Sequence, residues 1–395
     1  MKLVCLLVGI MLTFGVVTKG QSSQDTLEVV NWNLEFFGDR ASDLPEEMWK
    51  TRTIMNNLDA DIYALTEIVN TDSLHSLVQS LQGGFNYIVS PFGSFAAGPS
   101  SSQYRFAQKL AFVYRSSMVR NVSGRAMMKT SATAYDYWAS GRFPYLVTAE
   151  VLGKDNQWRL FRFVIIHAKA NSDYSSCFRR YAGALEMKDT LDTYYSDDRI
   201  VILGDFNDDL DESICPSFLS STYADLVADS VDANSYKALT LPLSQAGVST
   251  ISGYPSFIDH VVVSNEVVPF YVHGSAEMLR DKVTTWVQGY LSDVSDHYPV
   301  LTKYVMDDPT HVATAGTLRQ TRIYPVPAKE TLNISNISSG LSDYELYSAD
   351  GRKVAAGKIA ADAVSISVSQ LPAGVYLLKL CGDAAIQLRK ISVAK

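Results

Sequence analysis

The chain has 395 residues, 47% of them hydrophobic and 19% charged, a globular composition with room for one large domain and one small one. Its formal charge of −8 excludes a generally basic protein that coats nucleic acid. A polyanionic substrate would have to be met by local arginines, lysines and metal ions.

The N-terminus, Lys2 followed by LVCLLVGIMLTFGVV and the small residue Gly20, reads as a leader over residues 1–20 that directs export. A signal anchor is the alternative, although the apolar run is shorter than the roughly 20 residues that span a bilayer. No later segment is long and apolar enough to span. Cys5 falls in the leader, leaving Cys177, Cys215 and Cys381. Export permits a bond between Cys177 and Cys215, but spacing leaves the pairing open.

Short apolar runs then recur as strand candidates. LEVVNWNL begins the series, and a helix opening on Pro45, Glu46 and Glu47 follows, with Met48, Thr51, Met55 and Leu58 at helical spacing. IYALTEI, KLAFVYR, YLVTAEV and RLFRFVIIHAKA come next. A second helix carries Ala184, Met187, Leu191 and Tyr194 on one stripe, just before RIVILGDFN, FIDHVVVS and YPVLTKYV. Strands mixed with helices point to α/β or α+β layers, sheets inside and helices outside. After Asp307 the text turns small and polar, a linker over 308–320. From 321 to 395, short alternating strands between turn signals read as a separate small β-sandwich.

Six of the strand candidates end in polar residues whose burial has to be explained. These are Asn31 and Asn33 in VVNWNLEFFGD, Glu67 in DIYALTEIVN, His167 in VIIHAKA, Asp205 and Asn207 in VILGDFNDD, Asp259 and His260 in SFIDHVVVS, and Asp296 and His297 in SDHYPV. Singly, each has a bland explanation: a turn acid, a core histidine, a self-capping aspartate. Together they point to one shared site, into which only one of Asp259 and His260 can face if their strand is regular. Phosphodiester hydrolysis would use such a set. A hard cation takes oxygen ligands, which Glu67 with Asn33 or Asp296 could supply, and a carboxylate-oriented imidazole is a natural base, as Asp259 with His297. His167 is then a second imidazole, and Asn207 a donor to a phosphoryl oxygen.

In order and character, NWNLEFFGD, LTEI, KLAFVYR, IIHAKA, GDFND, IDHVVVS and SDHYPV resemble the endonuclease/exonuclease/phosphatase superfamily, whose best-known branch is the pancreatic-type deoxyribonuclease. The resemblance covers about residues 27 to 305 within a domain set at 21–307. It implies a four-layer sandwich, two packed mixed β-sheets flanked by helices, and a Mg²⁺-dependent enzyme, with Mn²⁺ or Ca²⁺ as substitutes. It also implies that Asn33, Glu67 and Asp296 serve the metal and phosphate, that Asp205 and Asn207 position the attacking water, and that Asp259 orients His297. His167 matches the other histidine and Arg142, in SGRFPYLV, a substrate arginine. Two departures stand out: Gln108 occupies the place of a glutamate that orients the first histidine, and Glu35 that of a DNA-contacting arginine.

The C-terminal segments IYPVPAKETLNI, YELYSADGRKV and LPAGVYLLKL resemble the sorting domain of type IX secretion, with an immunoglobulin-like binding module as the alternative. That resemblance implies the secretion machinery as a partner and release or display outside the cell. The leading functional expectation is an exported, monomeric endonuclease acting on DNA or RNA, with Tyr104 and Arg105 in QYRFAQK set against the nucleic acid. A phospholipid or inositol-phosphate phosphodiesterase on the same fold, and a catalytically silent surface-binding module, are the alternatives. His75, His273 and His311 have no legible partners.

Overall fold

The computed structural model describes residues 26–395 apart from 40–43, 229–234, 307–321, 326, 336, 338–340, 349–351, 360–362 and 383–385. The expected leader, the linker at 308–320 and His311 lie outside the described residues. The chain divides into two units, Met1–Pro309 and Thr310–Lys395.

In chain order the first unit runs β1 (Leu27–Phe37), α1 (Leu44–Leu58), β2 (Ile62–Ile68), α2 (Thr71–Ser80), β3 (Phe85–Val89), β4 (Lys109–Arg115), β5 (Val119–Ala126), α3 (Ala134–Tyr137), β6 (Tyr145–Leu152), β7 (Trp158–His167) and α4 (Tyr174–Tyr194). It continues with β8 (Ile200–Asp205), α5 (Ala224–Ala228), β9 (Lys237–Ala238), α6 (Leu241–Gln245), β10 (Asp259–Val263), β11 (Glu277–Met278), α7 (Arg280–Trp286), α8 (Tyr290–Asp293) and β12 (Val300–Tyr304). The strands form two six-stranded sheets, ordered β11-β12-β1-β2-β4-β3 and β5-β6-β7-β8-β10-β9. Both are mixed: β1 with β2 and β7 with β8 run parallel across helical crossovers, and the other described pairs are antiparallel.

Period-two alternation assigns each face. Leu27 and Val29, with Phe161, Phe163 and Ile165, Val201 and Leu203, and Val261 and Val263, fill the space between the sheets. The intervening residues face the helices: Val30 and Trp32 pack with α1, α2, α7 and α8, and Val164, Ile166 and Ile202 with α3, α4 and α5. This is the expected four-layer sandwich. On α1, Thr51 and Met55 of the anticipated stripe are buried, and Met48 and Leu58 pack partly against the core. On α4 the stripe holds for Ala184, Met187 and Leu191, but Tyr194, the last residue of the helix, is exposed.

Extended by two residues, the inward-facing register of four strands turns from apolar to polar. Val29 leads to Asn31 and Asn33, Ile165 to His167, Leu203 to Asp205, and Val261 back to Asp259. Ladder register then sets three of them side by side, since His167 pairs with Asp205 and Asp205 with Asp259. The close approach at this end depends on Gly204, whose φ is +144° and whose added Cβ would lie 1.9 Å from the Ile166 carbonyl oxygen. Gly204 also presents its carbonyl to Asn31 Nδ2 at 2.9 Å, a brace between the two sheets. Gly204→Ala should therefore destabilise the fold by roughly 3 kcal/mol or more, read as a melting temperature at least about 6 °C lower. An unchanged melting temperature would contradict this packing.

The second unit runs β13 (Arg322–Tyr324), β14 (Thr331–Ser335), β15 (Asp343–Ser348), β16 (Lys353–Lys358), β17 (Ala363–Ser367), β18 (Gly374–Cys381) and β19 (Ile386–Val393). Its three-stranded sheet β13-β14-β17 and four-stranded sheet β16-β15-β18-β19 enclose Leu332, Ile334, Leu346, Ile366, Leu378 and Leu380. No helix among the described residues is long and apolar enough to cross a membrane.

Candidate active site

Asp205, at the end of β8, is the hub of the polar cluster. Its Oδ2 accepts from Asn33 Nδ2 at 3.0 Å and lies 3.5 Å from His167 Nε2 and 4.0 Å from His297 Nε2. Its Oδ1 accepts the Asn207 N–H at 2.8 Å. Burial is the main cause of its pKa rising to about 7, with Asp259 and Glu67 adding to the rise and His297 opposing it.

Glu67 reaches this hub from the first sheet by breaking the strand pattern. The β2–β4 ladder shifts register between Leu65 and Ile68, and Glu67 has φ of 61°, so its side chain joins the inter-sheet face out of turn. Oε1 accepts from Asn33 Nδ2 at 3.2 Å and sits 3.6 Å from His167 Nε2. Oε2 accepts the Phe36 N–H at 3.1 Å and Gln108 Nε2 at 2.6 Å. Left-handed backbone at a glutamate persists only where its surroundings enforce it, and these contacts do so.

Asp259 and His297 form a buried dyad, Oδ2 to Nδ1 at 2.8 Å. The imidazole is placed by backbone contacts: Ser295 Oγ accepts the His297 N–H at 3.0 Å and donates to Asn33 O at 2.7 Å, while Tyr290 Oη donates to His297 O. Burial is the largest influence on His297 and disfavours its charge, but the hydrogen bond and charge of Asp259, with Asp205 and Asp296, together raise it to about 10. His167 goes the other way, well below the ordinary histidine range, through burial first and then the charges of Arg142 and His297. The shifts of the two imidazoles thus run in opposite directions across one carboxylate.

The remaining candidates separate into those at the site and those behind it. Asn207, with φ of 52°, donates from Nδ2 to Ala168 O at 3.3 Å. Asp296 lies at the rim: its N–H donates to Glu35 at 2.8 Å, and its carboxylate is 3.8 Å from His297 Nε2. Arg142 is buried, and its guanidinium is turned inward onto Gln108 Oε1 and the carbonyls of His167 (3.0 Å) and Ala168 (3.1 Å). Burial lowers its pKa to about 10, partly offset by Glu67 and Asp205. Tyr104 is likewise held: its hydroxyl donates to Ser90 O at 2.9 Å, and buried Lys109 lies over its ring at 4.6 Å. Arg105 instead faces out, over the exposed Phe106 ring at 4.4 Å. His260 faces the outer layer, between Thr240 Oγ1 (3.0 Å) and Asp208 O (3.2 Å), with burial pushing its pKa down to about 3. Asn31 braces the sheets. His75 meets Tyr87 Oη at 3.3 Å, and His273 is exposed.

Gln108 contacts Glu67 and Arg142, and sequence spacing carries no sign of that chain. The same is true of Ser295, Tyr290 and Thr250, whose Oγ1 accepts the Ile258 and Asp259 N–H groups at 3.0 and 3.2 Å.

The donor set suits a divalent cation. Ligand atoms of Glu67, His167 and Asp205 lie within 4.8 Å of one another, as do those of Asp205, Asp259 and His297. Among the described residues, buried His167 Nδ1 and Asp259 Oδ1 have no hydrogen-bond partner. Several acids crowded together at low dielectric are costly, and the added positive charge of a hard metal ion relieves that cost.

Behind the site, Cys177 of α4 is bonded to Cys215, which settles the pairing left open above. Cys381 is free. Arg180 lies against both sulfurs and donates to the carbonyls of Lys169 at 2.6 Å and Asn171 at 2.7 Å. The loops leaving His167 and Asn207 are thereby tied to one helix. The bond spans a sequence separation of 38, for which chain entropy gives roughly 3–4 kcal/mol. A Cys177→Ala, Cys215→Ala double variant should melt several degrees lower than the oxidised protein; equal melting would contradict this role.

Residues 30–297 match the endonuclease/exonuclease/phosphatase family, and the chain belongs to that family, one of divalent-metal-dependent hydrolases. Residues 322–394 match the secretion system C-terminal sorting domain, the mark of type IX secretion, so the protein is secreted or held at the cell surface. No curated protein matches the sequence. Among solved structures, the chain is similar to the human Nocturnin catalytic domain with bound sulfate anion, at 17% identity and TM-score 0.49 over 72% of this chain and 95% of that one. It is also similar to an endonuclease/exonuclease/phosphatase family protein from Bacteroides thetaiotaomicron, at 17% identity and TM-score 0.46 over 71% and 95%. The mannosyl-6-phosphatase of the same organism follows at 16% identity and TM-score 0.43 over 71% and 99%.

Proposed function

We propose that the protein is an exported, monomeric, Mg²⁺-dependent phosphodiesterase, an endonuclease that hydrolyses DNA and, secondarily, RNA, with Mn²⁺ or Ca²⁺ as substitute cations. In this reading residues 1–20 are the leader, 21–307 the catalytic domain, 308–320 a linker and 321–395 the sorting domain. The observation that supports it best is the convergence on Asp205 Oδ2 of two imidazoles and one carboxamide, with the second imidazole backed by Asp259 at 2.8 Å.

Glu67, Asn33 and Asp296 would hold the cation. When bound, it would polarise the phosphate, and its positive charge would oppose the raising influence of Asp259, Asp205 and Asp296 on His297. Asp205 and Asn207 orient the attacking water, and His297 takes its proton as the new P–O bond forms, while Asp259 fixes the tautomer and stabilises the imidazolium; the P–O bond to the leaving oxygen breaks, and that oxygen takes a proton from solvent water. His167, whose charged form is disfavoured by burial and by Arg142, donates a hydrogen bond from Nε2 toward the phosphoryl oxygens. Arg142 serves from behind, fixing the His167 and Ala168 carbonyls and Gln108, whereas Arg105 meets the substrate backbone with Tyr104 anchoring its loop.

Purified protein should nick supercoiled plasmid in Mg²⁺, cut RNA more slowly, leave sphingomyelin intact and lose all activity in EDTA. Cleavage of sphingomyelin in place of nucleic acid, or no metal-dependent cleavage, would overturn this reading.

A further inference from the structure

At the end of β1, two consecutive residues, Glu35 and Phe36, hold φ of 40° and 55°. This left-handed region is one that side chains other than glycine resist. The reversal turns two N–H groups inward, Glu35 to Asn33 Oδ1 at 2.9 Å and Phe36 to Glu67 Oε2 at 3.1 Å. Each bond takes only a backbone N–H from residues 35 and 36, so a glycine at position 36 would make the second without strain. Nor does the core use the ring: Phe37 is fully buried in the helix-facing layer, while Phe36 is 48% exposed. The chain thus holds a bulky side chain in an unfavourable conformation, directly beside the carboxylate that would take the metal, with its ring open to solvent. A groove starts two residues further on, at Gly38, lined by Asn70, Arg105 and the exposed ring of Phe106, with the carboxylates of Asp39 and Asp72 in the same lining.

We propose that Phe36 is a stacking platform for a base of the substrate strand next to the scissile phosphodiester. The substrate class is then a nucleic acid whose bases are splayed from the strand, single-stranded or locally unpaired, with the strand continuing along the groove toward Arg105 and Phe106. Stacking on an aromatic face suits this because every base offers a π face whatever the sequence. Phospholipid head groups and inositol phosphates carry no planar group to cover the ring. The assignment rests on the nuclease reading of the same site and narrows its substrate.

The test is steady-state cleavage of a single-stranded oligonucleotide by the full chain in Mg²⁺, comparing wild type with Phe36→Gly, Phe36→Leu and Phe36→Trp. Phe36→Gly keeps the N–H to Glu67 and relieves the backbone, so it should melt at or above the wild-type temperature. KM should rise about tenfold in the glycine and leucine variants with kcat nearly unchanged, and the tryptophan should restore it. An oligonucleotide lacking the base beside the cleaved bond should cost the wild type the same factor and cost Phe36→Gly nothing further. Wild-type KM in both the glycine and leucine variants, or an equal penalty for the missing base with and without the ring, would overturn the assignment alone. A wild type that cleaves no nucleic acid would overturn the nuclease reading, and the assignment with it.

Discussion

His297→Asn should lower turnover by about three to four orders of magnitude while leaving the protein folded. Asparagine keeps a donor for Asp259 but has no basic nitrogen at the Nε2 position. His297→Ala should lose as much activity and also stability, because it strands the Asp259 carboxylate, whose second oxygen already has no partner among the described residues. Leaving a buried charge uncompensated costs about 3–5 kcal/mol. The pair of variants therefore separates chemistry from folding: turnover falls in both, melting temperature mainly in the alanine. Asp259→Asn should approach the same kinetic defect, since a carboxamide no longer holds the imidazole in its working tautomer. Near wild-type turnover in His297→Asn would remove the imidazole from the role of base.

Glu67→Gln should reduce divalent-cation affinity by two orders of magnitude or more and activity at fixed Mg²⁺ with it, measured by calorimetric titration and by turnover against metal concentration. Its effect on stability without metal is the balance of two opposing changes. Glu67 and Asp205 both approach Asn33 Nδ2, and removing one negative charge from that cluster relieves repulsion. Against that, an amide nitrogen cannot accept from Asn33, or from Gln108 and Phe36, as a carboxylate oxygen does, so without metal the melting temperature should change little. With Mg²⁺ the wild type should gain stability by mass action and the variant should not. A variant that binds and responds to metal like the wild type would show that the cation is held elsewhere.

The layers and the site were legible where strand alternation carries the information. His167, Asp205 and Asp259 follow from extending an apolar inward-facing register by two residues and Asn33 from extending it by four, and the same parity sends His260 to the outer layer. Glu67 stands out in the sequence by its position after an apolar run, whereas strand parity alone would turn it to the helix-facing layer: its left-handed backbone at a register shift comes from tertiary contacts. The orientation of long side chains was not legible. Arg142 and Tyr104 read as substrate contacts, yet each is occupied by protein acceptors, because buried carbonyls from distant strands needed donors. The bridge from Arg142 through Gln108 to Glu67 joins segments 34 and 41 residues apart and has no local signature. The disulfide was likewise a matter of geometry, since only the packing of α4 against the loop after β8 brings Cys177 to Cys215.

All of this depends on one cation site built from strand ends of both sheets. The most direct test is anomalous diffraction from crystals of the protein grown with Mn²⁺. The expected result is a peak at oxygen-ligand distance from the Glu67 carboxylate, on the side facing Asp205; no peak there, with Mn²⁺ bound at other residues, would contradict the account.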